Sequence, residues 1–349
     1  MNILQDVDVR SEVLRSKQIA VIGFGSQGRA QALNLKDSGH DVVVGLRKGS
    51  SSRASAAQAG LTVCEIPAAV QQATVVMLLI PDEAQPEVFP REIAPHLKRG
   101  AYLGFAHGFA IHFRGILPSA DTNVFLVAPK GVGLMVRQQF QAGGGVPALV
   151  AMHQDPSGDT REVALAYACG LGCGRAGILE TTFREEAETD LFGEQAVLCG
   201  GLTELIRAGF DTLVAAGYAP ELAYFECLHE VKLIADLIHQ RGITGMRAAI
   251  SNTAAYGDLT RGRRVIGPAT RQAMKELLVE VQSGAFAAEW AAECAAGKAT
   301  LSALADKDAQ HPIEDVGRRL RAVMPWLDPG RPPVRPAPAD RSSSADAPR

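Results

Sequence analysis

The sequence lacks any apolar run approaching the ~18 residues that cross a bilayer. It opens Met1-Asn2-Ile3-Leu4-Gln5-Asp6, with an acid where a signal peptide would carry bases and then an apolar stretch. Membrane insertion and export are therefore not expected, and the expected location is cytoplasmic. An excess of one charge is also missing. Lys and Arg number 35 against 38 Asp and Glu, for a formal net charge of -3. That balance gives no attraction to nucleic acid or anionic lipid. The cysteines Cys64, Cys169, Cys173, Cys199, Cys227 and Cys294 are scattered. No second thiol or histidine pair stands at zinc spacing from Cys169 and Cys173, so free and mostly buried thiols are expected. No repeat recurs at a fixed period. The stretch 328–349 is rich in Pro, Ala, Ser and Arg and nearly without large apolar residues, so it is expected to be a disordered tail.

What is present reads as a globular chain of two domains. Hydrophobic residues make up 47% of the 349 and charged residues 21%, enough to bury two cores of ordinary size. Short apolar runs come at 19–22, 42–44, 74–80, 102–105, 124–127 and 148–151. Such runs suit strands covered on both faces, and helical stretches at 27–38 and 53–59 supply crossovers. From about residue 182 the texture changes to long Ala-, Leu- and Glu-rich segments at 188–216, 220–241, 268–282 and 285–296. The expected architecture is an α/β domain over 1–181 and an all-α domain over 182–327.

The first apolar run ends in Gly23-Phe24-Gly25-Ser26-Gln27-Gly28 and opens a helix. This is a dinucleotide fingerprint of Rossmann type in its strand–turn–helix context. The first glycine permits the turn, the second lets backbone approach a pyrophosphate, and the third packs helix on strand. The helix N-terminus offers free N–H groups to the phosphates. The second run is followed by Gly45-Leu46-Arg47-Lys48-Gly49-Ser50-Ser51-Ser52. A carboxylate for ribose hydroxyls is lacking there, whereas Arg47, Ser50 and Ser52 suit a 2′-phosphate and so NADP. Lys48 serves equally well as a lysine facing water.

The helical half carries two carboxylate pairs at i, i+4, Asp190 with Glu194 and Glu226 with Glu230. On regular helices each pair shares a face. The first extends a stripe through Val197, Leu198, Gly201 and Leu205, and the second one through Leu233, Ile234 and Leu237. Unpaired charge on an apolar stripe is costly, so a compensating cation is expected. Oxygen ligands without Cys or His select Mg²⁺. The bland alternative is two solvated helix faces with chance acids.

The run Phe183-Arg184-Glu185-Glu186-Ala187-Glu188-Thr189-Asp190-Leu191-Phe192-Gly193-Glu194-Gln195 resembles the signature of ketol-acid reductoisomerases. So do His107-Gly108-Phe109-Ala110-Ile111-His112-Phe113, Ala128-Pro129-Lys130-Gly131, Tyr224-Phe225-Glu226, His229-Glu230-Val231-Lys232 and Ile250-Ser251-Asn252-Thr253. The similarity runs from about residue 2 to 327 and is to the short, class I form. It implies magnesium-promoted alkyl migration in 2-acetolactate or 2-aceto-2-hydroxybutyrate, then reduction by NADPH to a 2,3-dihydroxy acid for branched-chain amino-acid biosynthesis. It further implies two Mg²⁺ held by Asp190, Glu194, Glu226 and Glu230, the last two from a partner subunit. The helical domain would be knotted and would form a homodimer or higher homo-oligomer.

By the same resemblance His107 and Lys130 stand beside the active site as catalytic residues, with Asp190, Glu194 and Glu230. Cys199 and Ser251 contact substrate; alone they would read as a core thiol and a helix N-cap. Pro81, Asp82, Gln85 and Gly133 complete the expected cofactor-binding set. Val132, Leu134, Arg114 and Ala255 depart from the family's usual residues without removing a proposed ligand. Two other readings compete. One is an NADP hydroxy-acid or imine reductase without metal, which would need no inward carboxylates. The other is a cofactor-binding scaffold without catalysis.

Overall fold

The computed structural model describes residues 2–327; the tail expected at 328–349 lies outside the described residues. The chain divides into two compact units, residues 2–192 with 278–291, and residues 193–277 with 292–327.

The first unit is built on a nine-stranded sheet of β1 Ile3–Leu4, β2 Ile19–Ile22, β3 Val42–Gly45, β4 Thr62–Cys64, β5 Val75–Leu78, β6 Tyr102–Phe105, β7 Asn123–Pro129, β8 Ala148–Gln154 and β9 Ile178–Glu180. The helices are α1 Ser26–Asp37, α2 Ser52–Gln58, α3 Ile66–Gln72, α4 Gln85–Val88, α5 Phe109–His112, α6 Gly133–Gln141, α7 Thr160–Gly170 and, after β9, α8 Phe183–Gly193. Strand order is β1-β9-β8-β7-β6-β5-β2-β3-β4. β2 pairs in parallel with β3 on one side and β5 on the other, so connectivity reverses direction at β2. Ligands of open α/β sheets sit at the carboxyl ends of the strands flanking such a switch point.

Every residue of β2, β3, β5, β6 and β7 is buried. Alternate side chains feed two cores. Ile19, Val21, Val42, Val44, Val75, Met77 and Phe125 pack under α1 and α7, while Ala20, Ile22, Val43, Val76, Leu78, Leu103 and Phe105 pack under α3. Full burial of such a side chain contributes about 1.5–3 kcal/mol, and the two-residue period assigns each residue to one face. The runs expected as strands all form strands. β1, β4 and β9 add to them. These are short, and β1 and β4 are the partly exposed edges of the sheet, so they lack the continuous apolar run that marks a covered strand.

β8 runs antiparallel to β7, pairing Val124 with Gln154 and Pro129 with Ala148. The sheet is therefore mixed. Of the segment between β7 and β8 only α6, nine residues long, is helical, and the chain folds straight back.

The second unit is helical. It holds α9 Gly200–Ala215, α10 Pro220–Tyr224, α11 Glu230–Ala248, α12 Asn252–Val265, most of α13 Pro268–Ser283, the end of α14 Ala285–Ala295, α15 Ala299–Ala309 and α16 Pro312–Arg321. Its buried cluster is Phe210, Ala223, Tyr224, Ile313 and Val316. Arg321 donates to the Tyr224 hydroxyl at 3.1 Å. No helix among the described residues is long and apolar enough to cross a membrane.

The expectation of uninterrupted α-helical faces for the two acid pairs is corrected. A π-turn spans Glu194–Leu198 and closes with Cys199 N–H donating to the Glu194 carbonyl at 2.9 Å. A second spans Phe225–His229 just before Glu230. The first wide turn inserts backbone between Glu194 and the apolar residues beyond it, and the second sets Glu226 out of line with the α11 face that Glu230 shares with Leu233, Ile234 and Leu237. Val197, Leu205 and Leu233 are exposed at 50%, 49% and 53%. Single π-turns inside helices occur frequently at functional sites.

Candidate active site

The turn after β2 is shaped by its glycines. Gly23 has φ +104, a left-handed backbone, and a Cβ there would lie 2.6 Å from the Leu79 carbonyl. α1 begins at Ser26 with Gly25 as its N-cap, leaving its first N–H groups for an anion. Ser26 Oγ accepts from Gly133 N–H at 3.1 Å, and Gln27 donates to the Gly131 carbonyl at 2.8 Å. These bonds tie the glycine turn to the segment beyond Lys130.

A cleft of about 630 Å³ opens over this turn. Gly23, Phe24, Gly25, Ser26 and Gln27 line it from one strand end, and Arg47, Ser50 and Ser52 from the next. Pro81, Asp82, Gln85 and His107 close its far side. Gly28 lies beneath the turn, where a Cβ would meet the Gly23 carbonyl at 2.4 Å. Lys48 does not line the cleft. No carboxylate from the loop after β3 faces it, so the Arg47 guanidinium is available to a phosphate.

His107 belongs to this cleft and to a charged cluster beside it. Its Nδ1 is 3.1 Å from Asp82 Oδ2 and its Nε2 is 3.6 Å from Asp190 Oδ2. The buried Nε2 has no hydrogen-bond partner. Gln85 steadies Asp82 by donating to its Oδ1 at 3.1 Å. Burial alone would lower the His107 pKa. The Asp82 hydrogen bond and the charges of Glu186, Asp82 and Asp190 outweigh it and push the imidazole up to about 9.

Lys130 follows the carboxyl end of β7. Its ammonium bridges Glu186 Oε1 at 2.9 Å and Asp190 Oδ1 at 3.0 Å. Burial disfavours its charge, but Glu186 and Asp190 outweigh it, so the pKa is raised above the ordinary lysine value. Glu186 is only 1% exposed, and its second oxygen accepts from Gly108 N–H at 2.7 Å. Gly108 is required for that approach, since a Cβ there would lie 2.4 Å from the Phe183 carbonyl. One buried carboxylate therefore fixes both Lys130 and the loop that carries His107.

The sequence reading missed Glu186. Its signal was the i, i+4 spacing to Asp190, but Glu185, Glu186 and Glu188 look alike in sequence and only packing separates them. Ligand atoms of His107, Glu186 and Asp190 lie within 4.8 Å of one another, a grouping that shares only Asp190 with the expected metal set. Both Glu186 oxygens are already engaged, so it reads as a positioning residue. Asp190 keeps Oδ2 after Oδ1 accepts from Lys130. Three carboxylates, Asp82, Glu186 and Asp190, against two cations, Lys130 and His107, leave one net negative charge, which fits a hard divalent cation.

The remaining candidates lie in the second unit. Glu194 starts the first π-turn, Glu226 lies within the second, and Glu230 opens α11; all three are exposed. Glu226 and Glu230 gather no third His, Cys, Asp or Glu around a common point among the described residues. Cys199 is an exposed thiol. Ser251 caps α12, its Oγ accepting from Ala254 N–H at 3.1 Å.

A glycine turn at the switch point of a largely parallel sheet, opening on a dinucleotide-sized cleft, defines a dinucleotide-binding protein of Rossmann type. The comparisons refine that class. Residues 13–177 match the acetohydroxy acid isomeroreductase NADPH-binding domain, and residues 183–326 match the ketol-acid reductoisomerase C-terminal domain. A solved NADH-preferring ketol-acid reductoisomerase from an uncultured archean is 49% identical, over 92% of this chain and 98% of that one, with TM-score 0.90. A semialdehyde dehydrogenase NAD-binding protein from Cupriavidus necator, solved with calcium and NAD, shares the fold. It is 18% identical, with TM-score 0.57, over 76% of this chain and 99% of that one. The chain belongs to the ketol-acid reductoisomerase family and is an oxidoreductase of the isomerising kind.

Proposed function

We propose that the chain converts 2-acetolactate, or 2-aceto-2-hydroxybutyrate, to the corresponding 2,3-dihydroxy acid with NADPH and two Mg²⁺, in the cytoplasm, for valine, leucine and isoleucine synthesis. The observation that carries this is the double position of His107. It lines the dinucleotide cleft and stands 3.6 Å from Asp190, so the charged cluster adjoins the place where a cofactor donates hydride. On this reading 1–181 is the cofactor domain and 182–327 the metal, substrate and dimer domain.

Asp190, Glu194, Glu226 and Glu230 are the proposed magnesium ligands. Magnesium, when bound, polarises the substrate carbonyl and favours its alkoxide, which lowers the barrier to alkyl migration. Lys130 orients Asp190 through its 3.0 Å hydrogen bond while Glu186 holds the lysine in place. His107, held by Asp82, presents a buried Nε2 without a hydrogen-bond partner, from which a proton can pass to the ketone oxygen as it becomes a hydroxyl. Arg47, Ser50 and Ser52 support NADP, whereas the 49% identical relative prefers NADH. Cofactor competition therefore belongs in the first assay.

A homodimer or larger homo-oligomer, with Glu226 and Glu230 supplied by the partner, is supported by apolar side chains that the second unit leaves open. Leu222, Leu233, Ile243 and Leu259 are all more than half exposed, at 57%, 53%, 55% and 52%. The testing experiment follows NADPH consumption with 2-acetolactate, with Mg²⁺ and with excess EDTA. Magnesium-dependent oxidation is expected. Oxidation indifferent to EDTA would return the chain to the metal-free reductases, and binding of NADPH without oxidation would favour a non-catalytic scaffold.

A further inference from the structure

A second cavity, of about 510 Å³, opens in the first unit and shares no lining residue with the dinucleotide cleft. Four basic side chains line it, His112, Arg114, His153 and Arg184, and no carboxylate does. They arrive from three separate places in the chain: the end of α5, the end of β8 and the start of α8. Neither guanidinium has a carboxylate in ion-pair contact among the described residues. Of the nearby acids, Glu188 pairs with the cavity's own His112 at 3.4 Å, and Glu185 accepts from the hydroxyls of Thr181 and Thr182. Glu185 does feel the Arg184 charge, but that contact is weaker than its threonine bonds. Met152 and Phe183 add an apolar wall. Burial holds both the His112 and His153 imidazoles below their ordinary pKa, so the positive charge of the cavity is that of the two guanidinium groups, and a bound anion relieves their repulsion.

Arg114 supplies a second, independent observation. It has φ +57, in the left-handed region. It lies just past the C-cap Phe113 of α5, with its N–H donating to the Ile111 carbonyl at 3.2 Å. That helix-ending position ordinarily belongs to glycine, and Gly115 stands next to it in the chain. The chain instead carries a strained arginine there and so delivers a guanidinium to the cavity. Retained strain of this kind clusters at ligand sites.

We infer that this cavity binds a small oxyanion, a carboxylate or phosphate group taken between the guanidinium groups of Arg114 and Arg184, with any short aliphatic portion against Met152 and Phe183. Planar guanidinium groups match both oxyanions with paired hydrogen bonds. The apolar wall suits a compact organic anion better than a bare ion. The site is distinct from the reaction already proposed and does not depend on it.

The test is calorimetric titration of the NADPH-saturated enzyme, without added Mg²⁺, with 3-methylbutanoate, inorganic phosphate and the neutral 3-methylbutanamide. Saturation with NADPH blocks the phosphate positions of the cofactor cleft. Arg114→Gly removes one guanidinium from a backbone that suits glycine, so the fold is retained; Arg184→Gln removes the other charge from an exposed position. At least one anion is expected to bind, the amide is not, and each variant should weaken the anion at least about tenfold. Preference for phosphate would assign a phosphorylated ligand, and preference for the butanoate a carboxylate; both uphold the site. It is overturned if neither anion binds up to about 20 mM. It is equally overturned if both variants keep wild-type affinity, which would place the binding elsewhere.

Discussion

Glu186→Gln isolates the residue that organises the charged cluster. The substitution keeps size and shape but removes the negative charge. In the wild type Oε1 accepts from Lys130 at 2.9 Å and Oε2 from Gly108 N–H at 2.7 Å, on a side chain only 1% exposed. The amide retains one acceptor, which satisfies Gly108, and turns its NH₂ group towards the Lys130 ammonium. A hydrogen bond to a charged group contributes about 1.5–3 kcal/mol, and here that bond becomes a donor facing a donor. Lys130 is left to Asp190 alone and becomes free to swing away from its position. If that energy orients Lys130 and Asp190 in the transition state, kcat should fall about 10- to 150-fold. The KM for NADPH should not change, because Glu186 does not line the cofactor cleft. The assay is NADPH oxidation with saturating 2-acetolactate and Mg²⁺, beside calorimetric NADPH binding. Glu185→Gln is the control, since its neighbouring carboxylate is bound by Thr181 and Thr182 outside the cluster. A folded Glu186→Gln enzyme turning over within about threefold of wild type would refute the positioning role.

Other outcomes follow from the same geometry. Asp190→Asn should abolish turnover while leaving NADPH affinity nearly unchanged; near-normal activity would remove Asp190 from the metal set. Arg47→Ala with Ser50→Asp should weaken NADPH by about 10- to 150-fold and spare NADH, by loss of a charge-assisted phosphate contact and gain of a ribose acceptor. Unchanged discrimination in competitive kinetics would place the 2′-phosphate elsewhere. Gly108→Ala puts a Cβ 2.4 Å from the Phe183 carbonyl; overpacking should cost about 1–3 kcal/mol in denaturant unfolding, and kcat should fall because the His107 loop must shift. His40 titrates below its ordinary 6.5, first because it is partly buried and second because Arg15 is near. Its folded pKa lies below its unfolded value, so the unfolded chain binds more protons near pH 6. Its contribution to stability is therefore full above about 6.5 and is lost as pH falls towards the folded pKa. NMR titration of the His40 ring should place it below 6.5, and a value above that would contradict the burial.

Much of the first unit was legible in sequence because its signals are local. Four consecutive apolar residues, rich in branched types and bounded by turn signals, at Ile19–Ile22 and again at Val75–Leu78 suit covered strands. The glycine fingerprint specifies its turn because Gly23 alone tolerates φ +104 against the Leu79 carbonyl. Arg47, Ser50 and Ser52 were readable because strand length places the next loop at the same sheet edge. The acid pairs of the helical half were readable as unusual, but their local geometry was not. The π-turns at Glu194 and Phe225 depend on backbone bonding that side-chain periodicity does not record.

Tertiary structure alone decided the rest, since each remaining feature joins residues far apart in the chain. The reversal of β8 against β7 is a choice of pairing, not of propensity. Glu186 differs from Glu185 only in which way the helix faces: one meets Lys130, 56 positions away, and the other its own N-terminal threonines. His107 acquires its raised pKa from Asp82, Glu186 and Asp190, carboxylates contributed by two distant segments. Arg114 and Arg184 become neighbours of one cavity only once α5, β8 and α8 are packed. Local conformational preference is written in adjacent residues, so the sequence by itself determined the elements and the cofactor turn. Electrostatic environment is a sum over everything nearby in space, so the charged site and the basic cavity waited on the fold.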